Sequence, residues 1–116
     1  MTATADRTDS TTNGLPQERR LVTSIPGPRS QALQARKTAA VSAGVGVTLP
    51  VYVAKAGGGV LLDVDGNSLI DMGSGIAVTT VGNANPEVVA GVQRQVAEFT
   101  HTCFMVTPYA GYVEVC

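Results

Sequence analysis

Groups that carry chemistry are scarce in this chain. His101 is the only histidine, Lys37 and Lys55 are the only lysines, and Cys103 and Cys116 are the only cysteines. A single histidine excludes a His-based metal cluster, and any triad would have to run through that one residue. The cysteines show no CxxC spacing and no histidine at a zinc-like distance, so they read as ordinary reduced thiols. Lys37 falls in a polar helical stretch and Lys55 near a strand end, and neither has the apolar setting that lowers a lysine pKa for Schiff-base work. The net charge of −1 lacks the concentrated basic surface that nucleic acid or an anionic membrane requires. No apolar run approaches the ~20 residues of a membrane span. The Thr/Ser/Asp-rich N-terminus has no apolar core of the kind a secretory signal needs. At 116 residues the chain is at most one ordinary domain, and the cytoplasm is its expected compartment.

What the chain does have is a patterned middle. Gly57 to Val92 reads GGGVLLDVDGNSLIDMGSGIAVTTVGNANPEVVAGV. Val60–Val64 and Ser68–Met72 flank an Asp65-Gly66-Asn67 turn, which predicts a β-hairpin. The triple glycine before it is expected to be a turn, because no Lys-Ser/Thr pair follows as in a phosphate loop. Gly73-Ser74-Gly75 bends the backbone after the hairpin, and position 78 is valine rather than the third glycine of a dinucleotide fingerprint.

Around this middle, residues 1–20 have the composition of a mobile tail, and residues 21–29 form a proline-broken extended lead-in. Ser30 is placed to cap a helix running to Val41, with Gly44 and Gly46 ending it. Leu49–Ala56 reads as a strand with Pro50 at its start. Asn85-Pro86-Glu87 opens a helix whose Val88, Val89, Val92, Val96 and Phe99 share one side. Thr107-Pro108 opens a last helix, which lacks any stop signal before Cys116 and so suggests a truncated chain.

Candidate sites must be weighed against plainer roles. Asp63 and Asp65 share a strand face and suggest paired carboxylates, but a solvated face with turn chemistry is more economical, and Asp71 reads likewise. His101 lies between two threonines and reads as a structural hydrogen-bonding residue. Ser74 sits in GSGIA, which is not a nucleophile elbow. Phe104, Met105, Tyr109 and Tyr112 read as an apolar cluster. The residues by themselves describe a small α+β module and no reaction.

A family resemblance adds the rest. The run Pro50–Asn67, then Leu69-Ile-Asp-Met-Gly-Ser-Gly-Ile-Ala-Val, then Val81-Gly-Asn-Ala-Asn-Pro-Glu-Val-Val, then His101-Thr-Cys-Phe-Met-Val-Thr-Pro-Tyr resembles the N-terminal part of the class III (ω-amino acid) aminotransferases. GSGIAV, HTCF and the Ser24-Ile-Pro-Gly-Pro-Arg-Ser lead-in are most similar to the 4-aminobutyrate branch. The resemblance covers about the last three-fifths of the chain.

It implies a pyridoxal-phosphate enzyme of fold type I, homodimeric when full length, with neither nucleic acid nor membrane as partner. Such an enzyme moves the amino group of 4-aminobutyrate or a similar ω-amino acid to 2-oxoglutarate. Acetylornithine or ornithine specificity is the alternative, as is a short non-enzymatic chain that pairs with a full-length subunit. The expected layout is a tail over residues 1–20, then the N-terminal part of the enzyme over residues 21–116. The large cofactor-binding domain lies outside it. By resemblance, Ile76 and Met105 line the substrate pocket. Met105 replaces a frequent glutamine and cannot make that amide's hydrogen bonds. Histidines common in relatives are absent from Gly82–Pro86. No catalytic, cofactor-binding or metal residue carries over, because the family's cofactor lysine and its partners come later in the order. The chain alone is therefore expected to be inactive.

Overall fold

A computed structural model describes residues 11–116. The chain divides into two compact units, one ending at Asn85 and one spanning Pro86–Cys116. The architecture is mixed α+β, with a lead-in helix, small antiparallel sheets and further short helices.

The first unit is built on a three-stranded antiparallel sheet in the order β3-β4-β5. Its strands are β3 (Val53–Gly57), β4 (Val60–Asp63) and β5 (Ser68–Ile70). The hairpin forms where the sequence predicts it, with Leu61 opposite Leu69 and Leu62 opposite Ser68. Val64 and Asp71 lie just past β4 and β5, although their N–H groups still donate to the Tyr52 and Gly59 carbonyls (2.8 and 2.9 Å). Strand β3 is shorter than expected at its start. Pro50 offers no N–H, and the register shifts between Val53 and Lys55, so regular pairing starts only at Val53.

Residues 11–20, expected to be tail, are ordered structure, whereas residues 1–10 lie outside the described residues. Strands β1 (Thr11–Thr12) and β2 (Leu15–Pro16) make a two-stranded hairpin. Side-chain amides dock it against β3. Asn13 Nδ2 donates to the Ala56 carbonyl at 2.9 Å and Gln17 Nε2 to that of Gly57 at 3.1 Å, while Gln17 Oε1 accepts the Gly59 N–H at 3.1 Å. Gly57 permits this approach, since a Cβ there would run into the Thr12 carbonyl. Polar amides therefore do what the apolar-poor composition of this stretch hid. Arg20 pairs with Ser68 through both backbone groups (3.0 and 2.8 Å), which extends the sheet beyond β5.

Helix α1 spans Pro28–Ala40 and starts two residues before the predicted cap, Ser30. Pro28 suits the first turn because its fixed φ is already helical and its missing N–H would be unpaired there. Gly27 holds the cap position and has no side chain to offer. The cap comes from the hairpin turn instead, as Asp65 Oδ1 accepts the Arg29 N–H (2.7 Å) and Oδ2 the Ser30 N–H (2.9 Å). A Cβ on Gly27 would collide with that carboxylate. Ser30 is fully buried and its hydroxyl faces the Tyr52 N–H at 3.4 Å.

The small core is partly polar. Leu15 and Val60 are its buried apolar residues, beside buried Ser30, Asp63 and Asn67. Asp63 was expected on a solvated face, yet it is 2% exposed. Burial is tolerated because its carboxylate accepts N–H bonds from Asp65, from the Asn67 backbone and from the Asn67 side chain.

The second unit holds α3 (Pro86–Glu98) and α4 (Ala110–Glu114). Helix α3 begins at the predicted proline. Helix α4 begins two residues later than predicted, with Tyr109 rather than Thr107 at its cap position. Thr107 is occupied elsewhere, since its N–H donates to the Cys103 carbonyl (3.0 Å) and its carbonyl accepts the Thr102 hydroxyl (2.9 Å). Phe104 packs edge-on against Tyr109 (5.4 Å between ring centres) and obliquely against Tyr112 (4.5 Å), and Phe99 joins through Tyr109. Among the described residues no helix is long and apolar enough to cross a membrane.

Candidate substrate-side loop

Ile76 sits in a four-residue turn, α2 (Ser74–Ala77), directly after the hairpin. All four residues have positive φ, at 48° (Ser74), 62° (Gly75), 58° (Ile76) and 64° (Ala77). The turn therefore winds left-handed. Glycine tolerates this, but a β-branched residue at positive φ is a genuine outlier. A left-handed turn costs roughly 1–2 kcal/mol per non-glycine residue. Ile76 gains no burial in return, because it is 92% exposed. Strain of this kind persists only where the surroundings impose it, and it gathers at functional sites.

The surroundings that impose it are polar. Asp71 Oδ1 accepts the N–H groups of Gly73 (3.1 Å) and Ser74 (2.8 Å) at the entrance of the turn. Its other oxygen, Oδ2, accepts from Asn83 Nδ2 at 3.1 Å. Asn83 is itself locked to Gly58, N–H to carbonyl in both directions at 2.8 Å. Inside the turn the Ile76 N–H donates to the Gly73 carbonyl (2.7 Å), and the Val78 and Thr79 N–H groups donate to that of Ser74 (2.9 and 3.1 Å). The Ser74 and Thr79 hydroxyls meet at 2.7 Å. Sequence reasoning passed over Asp71 and Asn83 as supports. The signal was the Leu69-Ile-Asp and Gly82-Asn-Ala-Asn pieces, which it used for resemblance and not for geometry.

Met105 belongs to the second unit. It sits on a turn closed by the Val106 and Thr107 N–H groups on the Cys103 carbonyl (2.9 and 3.0 Å), and it is 92% exposed. The ring cluster expected to include it consists of Phe99, Phe104, Tyr109 and Tyr112. His101 is exposed on an open groove of about 700 Å³, with Arg94, Phe99 and Tyr109 among its lining. The tie in its loop is made by Thr102.

The residues present do not fit a pyridoxal-phosphate site. Lys37 Nζ donates to the Val45 carbonyl, and Lys55 is exposed on β3. The carboxylates of Asp63, Asp65 and Asp71 are all engaged by backbone N–H groups, so none is free to hold a pyridine nitrogen. This also removes Asp63 and Asp65 as a pair for acid–base work. Among the described residues no group of three or more His, Cys, Asp or Glu is placed to hold a metal ion. Both cysteines are free and exposed.

Comparison with known proteins places these features in a family. Residues 40–116 match the family model described as aminotransferase class-III. The chain is 74% identical over 101 residues to a protein of Mycobacterium tuberculosis named 4-aminobutyrate aminotransferase, covering 87% of this chain. It is 66% identical over 99 residues to the Mycobacterium leprae protein of the same name, covering 85% of this chain. It is 45% identical over 87 residues to the 5-aminovalerate aminotransferase DavT of Pseudomonas putida, covering 75% of this chain. The chain spans 22% of the length of the two mycobacterial relatives and 20% of the Pseudomonas one. With two-thirds of its residues inside the matched region, the chain belongs to the class-III aminotransferase family.

Proposed function

We propose that this chain forms the N-terminal, substrate-side part of a pyridoxal-phosphate aminotransferase of fold type I. The enzyme moves the amino group of 4-aminobutyrate, or a similar ω-amino acid, to 2-oxoglutarate. The observation that carries the reading is Ile76. It is an exposed aliphatic side chain held on a strained turn. The surrounding segment is 74% identical to a relative named for 4-aminobutyrate. An aliphatic wall suits the methylene chain of an ω-amino acid, which offers no hydrogen-bonding group between its two ends. By the family resemblance alone, Met105 is also a pocket-lining position, apolar where a frequent glutamine would have offered hydrogen bonds.

The cofactor would supply the electron sink that transamination requires. Its lysine and phosphate contacts are assigned to none of the residues described above. The same reading carries a homodimer, which the family resemblance implies, and the cytoplasm as the expected compartment.

The reading is tested by exchanging the matched 101 residues of the Mycobacterium tuberculosis relative for those of this chain. Initial rates are then compared for 4-aminobutyrate, 5-aminovalerate and acetylornithine with 2-oxoglutarate as acceptor. The highest kcat/KM is expected with 4-aminobutyrate, and Ile76→Ala is expected to raise the donor KM roughly tenfold through lost apolar contact. A graft that prefers acetylornithine would overturn the donor assignment.

A further inference from the structure

We infer that Asp71 is a positioning residue for the substrate-side wall, because its carboxylate, braced by Asn83, holds the Ser74–Ala77 turn that fixes where Ile76 stands. The inference rests on the reading of Ile76 as a wall of the donor pocket.

Three of the four residues in the turn are not glycine, and all have positive φ. Nothing within the turn explains why it avoids a relaxed right-handed alternative, since a right-handed turn makes the same kinds of bond. Burial does not explain it either, because Ile76 is almost fully exposed. The constraint enters from one end. Asp71 Oδ1 gathers two successive N–H groups, Gly73 and Ser74, and so orients the first peptide planes of the turn. The carboxylate is held in place by Asn83 on its second oxygen. Asn83 is anchored through its own backbone to Gly58, at the bend between β3 and β4. A rigid sheet edge thus reaches the strained turn through Gly58, Asn83 and Asp71. Asp71 touches no substrate in this scheme and acts through Ile76.

The test uses the full-length graft described above. Asp71→Ala is expected to raise the donor KM roughly fivefold while kcat stays within about twofold. Backbone hydrogen exchange over residues 73–79 is expected to accelerate. Asn83→Asp sets two carboxylates against each other and is expected to reproduce both effects. The exchanged pair Asp71→Asn with Asn83→Asp restores a donor opposite an acceptor and is expected to recover both. It also guards against Asp71→Ala simply failing to fold. In the Ile76→Ala background, Asp71→Ala is expected to change the donor KM no further. Multiplying effects of Asp71→Ala and Ile76→Ala, or unchanged exchange over residues 73–79, would overturn the positioning role. If Ile76→Ala alone leaves the donor KM unchanged while Asp71→Ala accelerates exchange, the wall reading falls and the bracing of the turn stands.

Discussion

Asp63 and Asn67 hold each other across the hairpin turn through three hydrogen bonds. The Asn67 backbone N–H donates to Asp63 Oδ1 at 2.8 Å, its side-chain amide donates to Oδ2 at 2.7 Å, and the Asp63 N–H returns to the Asn67 carbonyl at 2.9 Å. Asn67 then reaches outward. Its Oδ1 accepts the N–H groups of Val22 (2.8 Å) and Thr23 (2.9 Å), and its Nδ2 donates to the Thr23 hydroxyl (2.8 Å). One buried amide thereby ties the lead-in segment to the sheet.

Replacing Asn67 by alanine removes the acceptor of two part-buried backbone N–H groups and leaves one oxygen of buried Asp63 without its partner. Losses of this kind cost about 1–3 kcal/mol together. In the full-length graft, Asn67→Ala is therefore expected to lower the urea midpoint and to speed amide exchange at Val22 and Thr23. Unchanged exchange at those two amides would show that the lead-in is held by other contacts.

Asp65 predicts an acid-dependent loosening of α1. Burial pushes its carboxyl pKa up, but hydrogen bonds from the Ser30 hydroxyl and from the Arg29 and Ser30 N–H groups, with the Arg29 charge, outweigh that and hold it below the usual carboxylate range. A lowered folded value means the cap contributes fully above the unfolded value of about 3.9 and is lost as pH falls through the folded value. Exchange of the first-turn amides of α1 is expected to rise below about pH 4. Asp65→Asn is expected to flatten that rise, and an undiminished rise in the variant would assign the acid response to another group.

Gly57→Ala tests the docking of β1 and β2. The added methyl group meets the Thr12 carbonyl, which is backbone and cannot swing aside. Overpacking of this kind costs about 1–3 kcal/mol. Exchange of the Gly59 N–H, held by Gln17, is expected to rise with it. Gly59→Ala has open space for its Cβ and serves as the control.

The isolated 116-residue chain is expected to retain no aldimine absorbance after mixing with pyridoxal phosphate and desalting, since neither lysine is placed to hold one. It is also expected to self-associate. Val88, Val92 and Val96 on α3 are each more than half exposed, and a contiguous apolar stripe of this kind seeks a cover. A sharp cooperative melt from a monomer in sedimentation would contradict the second expectation.

The parts legible in the sequence are those set by neighbouring residues. The Asp65-Gly66 turn, the strands around it and the start of α3 at Pro86 depend on chemistry within a few positions. What stayed hidden depends on distant partners. The cap of α1 comes from Asp65, 36 positions from Arg29, so no local pattern marks it. The docking of residues 11–17 relies on amide side chains that look like ordinary surface composition. The positive φ values at Ser74, Ile76 and Ala77 contradict residue preference, and only the Asp71–Asn83 bracing makes sense of them. Ile76 and Met105 entered as site residues through resemblance alone, since nothing in their local sequence distinguishes a pocket wall from an ordinary exposed aliphatic.

The hold of Asn67 on Val22 and Thr23 has a practical side. The region shared with the family model begins at residue 40, after the lead-in and nearly all of α1. A polypeptide trimmed at that border would be homologous throughout and still physically incomplete. Asn67 would lose its outward partners, Asp65 would have no helix to cap, and Ser68 would lose Arg20. The border of the family model and the border of the hydrogen-bonded structure are different lines, and the second lies at least twenty residues upstream of the first.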